Sequence, residues 1–430
     1  IGTPDNPITF TSSVASPVPG DWVGIYLGPQ SSASVLEHIN LLYGASYNGG
    51  PGIGNLHGSP RFASLYVDGS SPTLSNVSIS STYRNGLEMY AAQPTVNGLI
   101  IDKCGWHGVR AEGGSVVSYL NTVFRNSVAT TYYPISCDGS SIPILVNPVF
   151  TDNKLNAVQL TDGTLALPAT LKAIGTEVSY ALTGDVIVSA VATLTIEPGS
   201  VVKGSSGAIH VLGSLIAENV VFTSIKDDSV GGDTNGNGTA TSPGKGDWIG
   251  IYFGPDAGGS VFRWNKVAYA GGYNGGVGLG NYDGRYRQAN VVIHRSSPRF
   301  ACNNVFQSDE HGILTVYSNS RVVDCIVSDI RTDGILVDGG YPMVGNNLVR
   351  NSTNAIRISS GGAAVGNNIV TDCSRGVYRQ SGVTGTVLNN LAWQCSTPGI
   401  TNGVDGNLVA DPQFTDPANG NYRPLPSSPC

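Results

Sequence analysis

The strongest constraint on this chain is that it repeats itself. Gly20-Asp21-Trp22-Val23-Gly24-Ile25-Tyr26-Leu27-Gly28-Pro29 returns 226 residues later as Gly246-Asp247-Trp248-Ile249-Gly250-Ile251-Tyr252-Phe253-Gly254-Pro255. The same offset carries Tyr47-Asn48-Gly49-Gly50 onto Tyr273-Asn274-Gly275-Gly276 and Gly54-Asn55 onto Gly280-Asn281. It also carries Ser71-Pro72 onto Ser297-Pro298, Gly86 onto Gly312 and Gly108 onto Gly334. One register held over so many positions is an internal duplication. Upstream, Phe10-Thr11-Ser12 matches Phe222-Thr223-Ser224 at an offset of 212, so the second copy holds 14 extra residues, within 226–238. That copy also has a lead-in, Leu194-Thr195-Ile196-Glu197-Pro198-Gly199, which the first copy lacks. The natural chain is therefore expected to continue upstream of Ile1. The division read from the sequence is a first unit over 1–190, a second over 191–405 with an insertion at 226–243, and a C-terminal extension over 406–430.

Inside each copy runs a shorter period. Ile313, Ile335, Ile356, Val377 and Ile400 follow one another at steps of 21 to 23 residues, and Asn304, Cys325, Asn347, Asn368 and Asn390 at steps of 21 or 22. Each period holds two or three β-branched runs separated by Gly, Asn, Ser or Asp, the pattern of strands joined by turns. No segment shows a 3.6-residue period and the leucine template of a leucine-rich repeat is absent. Coils stacked along an axis pair each backbone with the coils above and below. The spacing predicts one inward column of β-branched residues and, at one turn, an asparagine ladder of rungs about 4.8 Å apart.

Composition narrows the partners. Only 12% of the residues are charged, against roughly 25% in an ordinary soluble domain. A net charge of −7, with the 23 Lys and Arg scattered, argues against nucleic acid and against an anionic membrane surface. No apolar run reaches the ~18 residues a membrane-spanning helix needs. The chain opens on Ile1 and carries two Met and seven Cys. The reading favours a processed, exported protein, secreted or at the cell surface.

The lead-in with Val201-Val202-Lys203, the Phe222-Thr223-Ser224 strand and the Gly-Asp-Trp-x-Gly-Ile segment resemble bacterial secreted β-helix repeat proteins of the pectate-lyase-like superfold. The tail, with Asp411-Pro412-Gln413-Phe414, Asn419-Gly420-Asn421-Tyr422-Arg423 and Pro426-Ser427-Ser428-Pro429-Cys430, is similar to segments that follow the last coil in that group. The resemblance covers most of the chain and implies an all-β, right-handed parallel β-helix, an elongated β-solenoid. It does not fix a function, because the superfold hosts lyases, hydrolases, epimerases, adhesins and inert rods.

Three sets of residues are chemical candidates. Asp309, Glu310 and His311, with Arg331, Asp333 and Arg287 expected nearby, form the richest polar cluster. The first copy carries Tyr83, Arg84 and Asn85 at the positions of Asp309, Glu310 and His311, and His107 at that of Asp333. Solvated turn residues remain the alternative, and the mismatch tilts the reading away from an enzyme. Trp106, His107, Tyr83, Tyr90, Tyr282, Tyr286, Tyr317 and Tyr341 would supply an aromatic strip for sugar stacking, or simply strand formers. In the insertion, Asp233-x-Asn235-x-Asn237-Gly238, with Asp227 and Asp228, has the alternate oxygen ligands and glycine that open a Ca²⁺ loop. Position twelve from Asp233 is Gly244 rather than Glu, so it is no EF-hand; a plain Gly/Asn loop is the alternative. His38, His57, His210 and His294 show no metal spacing and read as turn or surface residues. Cys373 and Cys395 stand five residues after Asn368 and Asn390, so they occupy one position on successive coils and are a candidate disulfide. Cys302 and Cys325 fall two positions out of register.

Three functional classes stay open: a structural or adhesive rod that self-associates end to end or binds other surface proteins, a carbohydrate-binding protein, and a lyase or glycoside hydrolase acting on an acidic glycan. The rod is the first expectation, and no depolymerisation of uronic-acid glycans is expected.

Overall fold

A computed structural model describes residues 1–46, 53–127, 129–272 and 287–430. The repeat matches at 47–50, 273–276 and 280–281, and Tyr282 and Tyr286, lie outside the described residues. Among the described residues, two short hairpins are antiparallel, Gly54–Leu56 with Ser59–Arg61 and Phe414–Asp416 with Asn421–Pro424. The strands that build the coils pair in parallel, each with its counterpart one coil away. Crossovers between parallel strands of one sheet are almost always right-handed, and the fold is a right-handed parallel β-helix.

The chain divides into two compact units. One comprises Ile1–Val186, Ser200–Lys203 and Ile225–Ser242; the other Ile187–Gly199, Gly204–Ser224 and Pro243–Cys430. The insertion thus belongs to the second copy by sequence but packs in the first unit. Ser179 and Thr234 share a hydroxyl hydrogen bond of 2.8 Å, and Lys203 Nζ donates to the Gly232 carbonyl.

In the second unit, Ile251, Val291, Ile313, Ile335, Ile356 and Val377 pair in one unbroken register and are buried. Ile400 is not their next member. Arg375 bridges Thr397 and the Val377 amide donates to Pro398, which leaves Gly399 opposite Val377 and Ile400 half-buried outside any strand. The recurrent glycines have a steric reason. A Cβ on Gly312 would lie 2.6 Å from the Gly334 carbonyl oxygen, and one on Gly86 would lie 2.7 Å from that of Gly108. The Gly-Asp-Trp motif is structural in both units. Trp22 Nε1 donates to the Leu42 carbonyl at 2.7 Å and Trp248 Nε1 to that of Ala268 at 2.8 Å, while Asp21 and Asp247 accept the amides of Val18 and Gly244.

The asparagine ladder exists, one residue away from part of the expected column. Its buried rungs are Asn265, Asn303, Asn347, Asn368, Asn390 and Asn407, with Cys325 at the gap. Asn304 instead pairs within the neighbouring strand. Each rung follows a residue with positive φ: Trp264, Cys302, Asn346, Asn367 and Asn389 lie between 56° and 58°, Gly406 is at 71°, and Asp324 before Cys325 is at 58°. The left-handed residue turns the chain, and the next side chain points inward. Cys302 is therefore one position out of register with Cys325, not two. Asn407 accepts from Asn390, and Leu408–Val409 still pairs with Leu391–Trp393, so the coils run past 405 into the expected extension. The tail hairpin returns to its own unit, where Tyr422 receives a hydrogen bond from Arg350 and packs under its guanidinium.

Candidate functional site

In the first unit Tyr26, Tyr66, Glu88, Arg110, Ser136 and Gln159 pair in one column across successive strands. Leu65, Leu87, Val109 and Ile135 precede four of these, point inward and are buried, so strand alternation sends the polar column outward. Tyr66 and Glu88 are nevertheless buried, because the Gly54–Leu56/Ser59–Arg61 hairpin lies over them. Arg61 Nη1 contacts Glu88 Oε1 and Glu112 Oε2, each at 2.8 Å, and its guanidinium lies over Tyr66 and Tyr90. Burial alone would lower the Arg61 pKa; hydrogen bonds to Glu112 and Glu88 more than reverse this and hold it charged. Burial likewise pushes the Tyr66 phenol up. At the hairpin tip, His57 Nε2 meets Asp68 Oδ1 at 2.7 Å, and its ring stacks on Tyr90 with centroids 3.8 Å apart.

Beside this ion network a groove of about 320 Å³ is lined by Trp106, His107, Arg110, Glu112, Tyr132 and Asp138, with Gln159 at one side. Four side chains from successive coils stack at its edge. The Arg84 guanidinium lies 4.2 Å from the Phe62 ring and 4.0 Å from Trp106, and Trp106 stacks on Tyr132 at 4.9 Å with 17° between planes. Trp106 and Tyr132 are half-buried, leaving ring surface open. His107 Nδ1 lies 3.1 Å from the Tyr133 amide nitrogen and 3.3 Å from the Tyr133 carbonyl oxygen; burial, with Arg110 nearby, lowers its pKa to about 4. Arg110 is held by Glu112 at 2.5 Å. The result is a flat aromatic platform beside planar hydrogen-bonding groups, the chemistry that takes the apolar face and hydroxyl rim of a sugar ring.

The sequence pointed to Trp106 and His107 but missed Tyr132, Arg84 and the Arg61–Glu88–Glu112 network. A signal for Glu88 was present: it interrupts the apolar run Gly86-Leu87-Glu88-Met89-Tyr90, where the second copy has Leu314. The expected aromatic strip is not one feature. Tyr90 lies beneath His57, Tyr83 is exposed, Tyr317 lies under Arg295, and Tyr341 is exposed. Of the four lone histidines, His210 and His294 are buried rather than surface residues, His294 Nδ1 lying 2.7 Å from the Tyr252 hydroxyl.

The second unit does bring its polar candidates together, in two groups. Arg331 pairs with Glu310 and, at 3.4 Å, with Asp309 in a largely solvated cluster. His311 Nδ1 meets Asp333 Oδ2 at 3.0 Å; Asp333 is fully buried, accepts from Asn354 at 2.6 Å and lies 3.6 Å from Arg357. Burial would raise the Asp333 pKa, but His311, Asn354 and Arg357 hold it below the usual carboxylate range. Asp333 is thus no solvated turn residue. Arg287 pairs with Asp338 at 2.8 Å rather than with this cluster. One coil on, exposed Arg375 packs on the ring of half-buried Tyr378, and Arg357 stands opposite Tyr378 in the register.

In the insertion, the Asp233 carboxylate accepts the amides of Gly236 and Gly238, each at 2.7 Å, and Asn235 and Asn237 both donate to Thr241. Asp227 accepts from Ser229. The nearby cation is Lys203, whose pKa burial lowers to about 8 against the pull of Asp227, Asp228, Asp233 and Glu177. The Asp233 oxygens thus face loop amides, and a lysine stands among the acids.

Residues 263–422 match a family model described as "Periplasmic copper-binding protein (NosD)". The chain is a right-handed β-helix repeat protein. No curated protein sequence matches it. Among solved structures it is similar to the A-module of the Azotobacter vinelandii mannuronan C-5 epimerase AlgE6, with 11% identity, 91% of each chain covered and a TM-score of 0.26. It is also similar to the periplasmic alginate epimerase AlgG, with 9% identity, 90% of this chain and 82% of that one covered, and a TM-score of 0.26. Cys325 donates to the Val323 carbonyl, Cys302 occupies a left-handed turn, and among the described residues no three His, Cys, Asp or Glu side chains converge as a metal site.

Proposed function

We propose that this is an exported, adhesive β-helical protein that binds a polysaccharide along the groove of its first unit. The observation that carries the reading is the Phe62–Arg84–Trp106–Tyr132 stack, which holds two half-open rings rigidly beside Arg110, Glu112, Asp138 and Gln159. Aromatic contacts of this kind supply area at little entropic cost. Export accords with the periplasmic description of the family matched at 263–422.

An acidic polymer is the favoured ligand. The second unit carries a contact of its own for such a polymer, separate from the groove: exposed Arg375 packs on the ring of half-buried Tyr378 and has no carboxylate partner among the described residues. Guanidinium forks recognise carboxylates in two-point fashion. Calorimetry with polymannuronate, polygalacturonate and a neutral β-glucan tests the reading. Trp106→Ala and Tyr132→Ala should each weaken binding at least about tenfold, about 1.4 kcal/mol, and Arg375→Ala should weaken only the acidic polymers. Failure to bind any of the three, or Trp106→Ala binding as tightly as the parent, overturns it. Depolymerisation of either acidic polymer, lost on His311→Ala, would move the assignment to an enzyme.

A further inference from the structure

The Cys373–Cys395 pair lies outside the glycan groove and has chemistry the binding function does not use. The strands Ile369–Thr371 and Leu391–Trp393 pair in parallel with Thr371 opposite Trp393. Beyond them the Ser396 amide donates to the Cys373 carbonyl at 3.2 Å, so the two cysteines face each other on adjacent coils. That spacing, about 4.8 Å between strands, lies inside the range of roughly 4.4–6.8 Å that disulfides require between Cα atoms. The Cys373 thiol donates to the Thr371 carbonyl at 3.0 Å and the Cys395 thiol to that of Trp393 at 3.5 Å, the equivalent positions of the two coils.

We propose that Cys373 and Cys395 are a redox couple that closes to an inter-coil disulfide by thiol–disulfide exchange. Three observations separate this pair from the other cysteines. Cys104, Cys137 and Cys325 are buried singly, and burial pushes the Cys104 and Cys325 thiols up to about 12. The Cys395 contact instead brings Cys373 down to about 7 against its burial, and raises Cys395. Cys373, 4% exposed, forms part of the wall of an open polar depression of about 600 Å³ with Ser352, Ser374, Gln394 and Ser396, the side from which a donor approaches, and Cys395 is half-buried. Finally, the column that holds Ile330 in an earlier coil holds Ser352 next, and Ser352 Oγ lies 3.3 Å from Cys373 Sγ. A polar partner there supports a thiolate rather than apolar filler.

The exchange balances with a protein disulfide of the thioredoxin-fold class, or with glutathione disulfide, as oxidant. The Cys373 thiolate attacks one donor sulfur, forming a mixed disulfide and releasing the other donor sulfur as a thiolate. Cys395, deprotonated, then attacks Cys373 Sγ and expels the second. Two cysteine thiols are oxidised by two electrons, the donor disulfide is reduced to two thiols, and two protons pass from the cysteines to the donor. The bond would staple two late coils of a solenoid whose stability comes from coil-to-coil contacts.

The test uses the full chain, reduced and then treated with glutathione disulfide, with maleimide mass labelling as the readout. Two of the seven thiols should disappear together, a peptide map should recover Cys373 joined to Cys395, and the melting temperature should rise by several degrees and fall back with reductant. Cys395→Ser should stop at one glutathione attached to Cys373. In the reduced wild-type chain, which needs no variant to fold, Cys373 should label faster than Cys104, Cys137 and Cys325. Full labelling of both cysteines after oxidation, pairing of any other two, or Cys373 labelling no faster than those three, overturns the proposal.

Discussion

The two copies bend their chains at equivalent places with different chemistry. His38 and Asn76 in the first copy have φ of 50°, and their counterparts 226 residues on, Trp264 and Cys302, have φ of 56° and 57°. The next residue is Ile39 or Val77 in the first copy, and Asn265 or Asn303 in the second. All four are buried. In the first copy the strands Val35–Leu42 and Thr73–Thr82 run through the bend; in the second the same stretches are Val261–Arg263 with Lys266–Ala268, and Arg299–Ala301 with Asn304–Phe306. The left-handed residue makes the corner, so an apolar or an amide side chain serves inside it. The amide adds hydrogen bonds between coils and with them a single register.

The outer face teaches the complementary lesson. Arg61 and Arg287 are equivalent, and so are their partners Glu112 and Asp338, each pair at 2.8 Å. Between them stands Glu88 in the first copy and Leu314 in the second. The shared pair is the anchor, and Glu88 is the first copy's addition. Arg61→Met tests this most severely. It strands a buried carboxylate and should cost about 3–5 kcal/mol in urea unfolding, whereas Glu88→Leu, which copies the second unit, should stay within about 1 kcal/mol. If both cost the same, Glu88 is part of the anchor.

Asn368→Val should come next. It removes the acceptor of the Asn347 amide and the donor to the Val344 carbonyl, both buried, at about 2–3 kcal/mol. A loss below about 0.5 kcal/mol would mean that the ladder adds nothing beyond what Val77 provides.

Acid should distinguish the copies more gently, because the second has Asp333 where the first has His107. With its pKa lowered to about 4 from 6.5, His107 is neutral when folded and takes up its proton more readily when unfolded. Its contribution is therefore complete above about pH 6.5 and is lost as pH falls through 4. His107→Gln should flatten the stability profile within that window, and an unchanged profile would remove His107 from the account. The smallest effect belongs to Asp309→Ala, expected within about 0.5 kcal/mol by thermal melting because Asp309 and Arg331 are solvated.

The sequence by itself determined the coil. Ile313, Ile335, Ile356 and Val377 recur because one interior position must be filled on every turn, and Gly86, Gly108, Gly312 and Gly334 recur because successive backbones there leave no room for a Cβ. Such constraints act at a fixed period and leave a periodic trace. Ile400 and Asn304 misled because period alone carries an uncertainty of one residue, and in a coil one residue separates the inside from the corner. The groove left little trace. Phe62, Arg84, Trp106 and Tyr132 are separated by 22, 22 and 26 residues, and Arg84 interrupts the aromatic side chains of the column. Only the stacking of coils brings their planes together, and only the returning hairpin turns Glu88 from an outward-facing strand residue into a buried carboxylate. Tertiary structure decided the site because its chemistry lies across coils, between side chains that no local pattern relates.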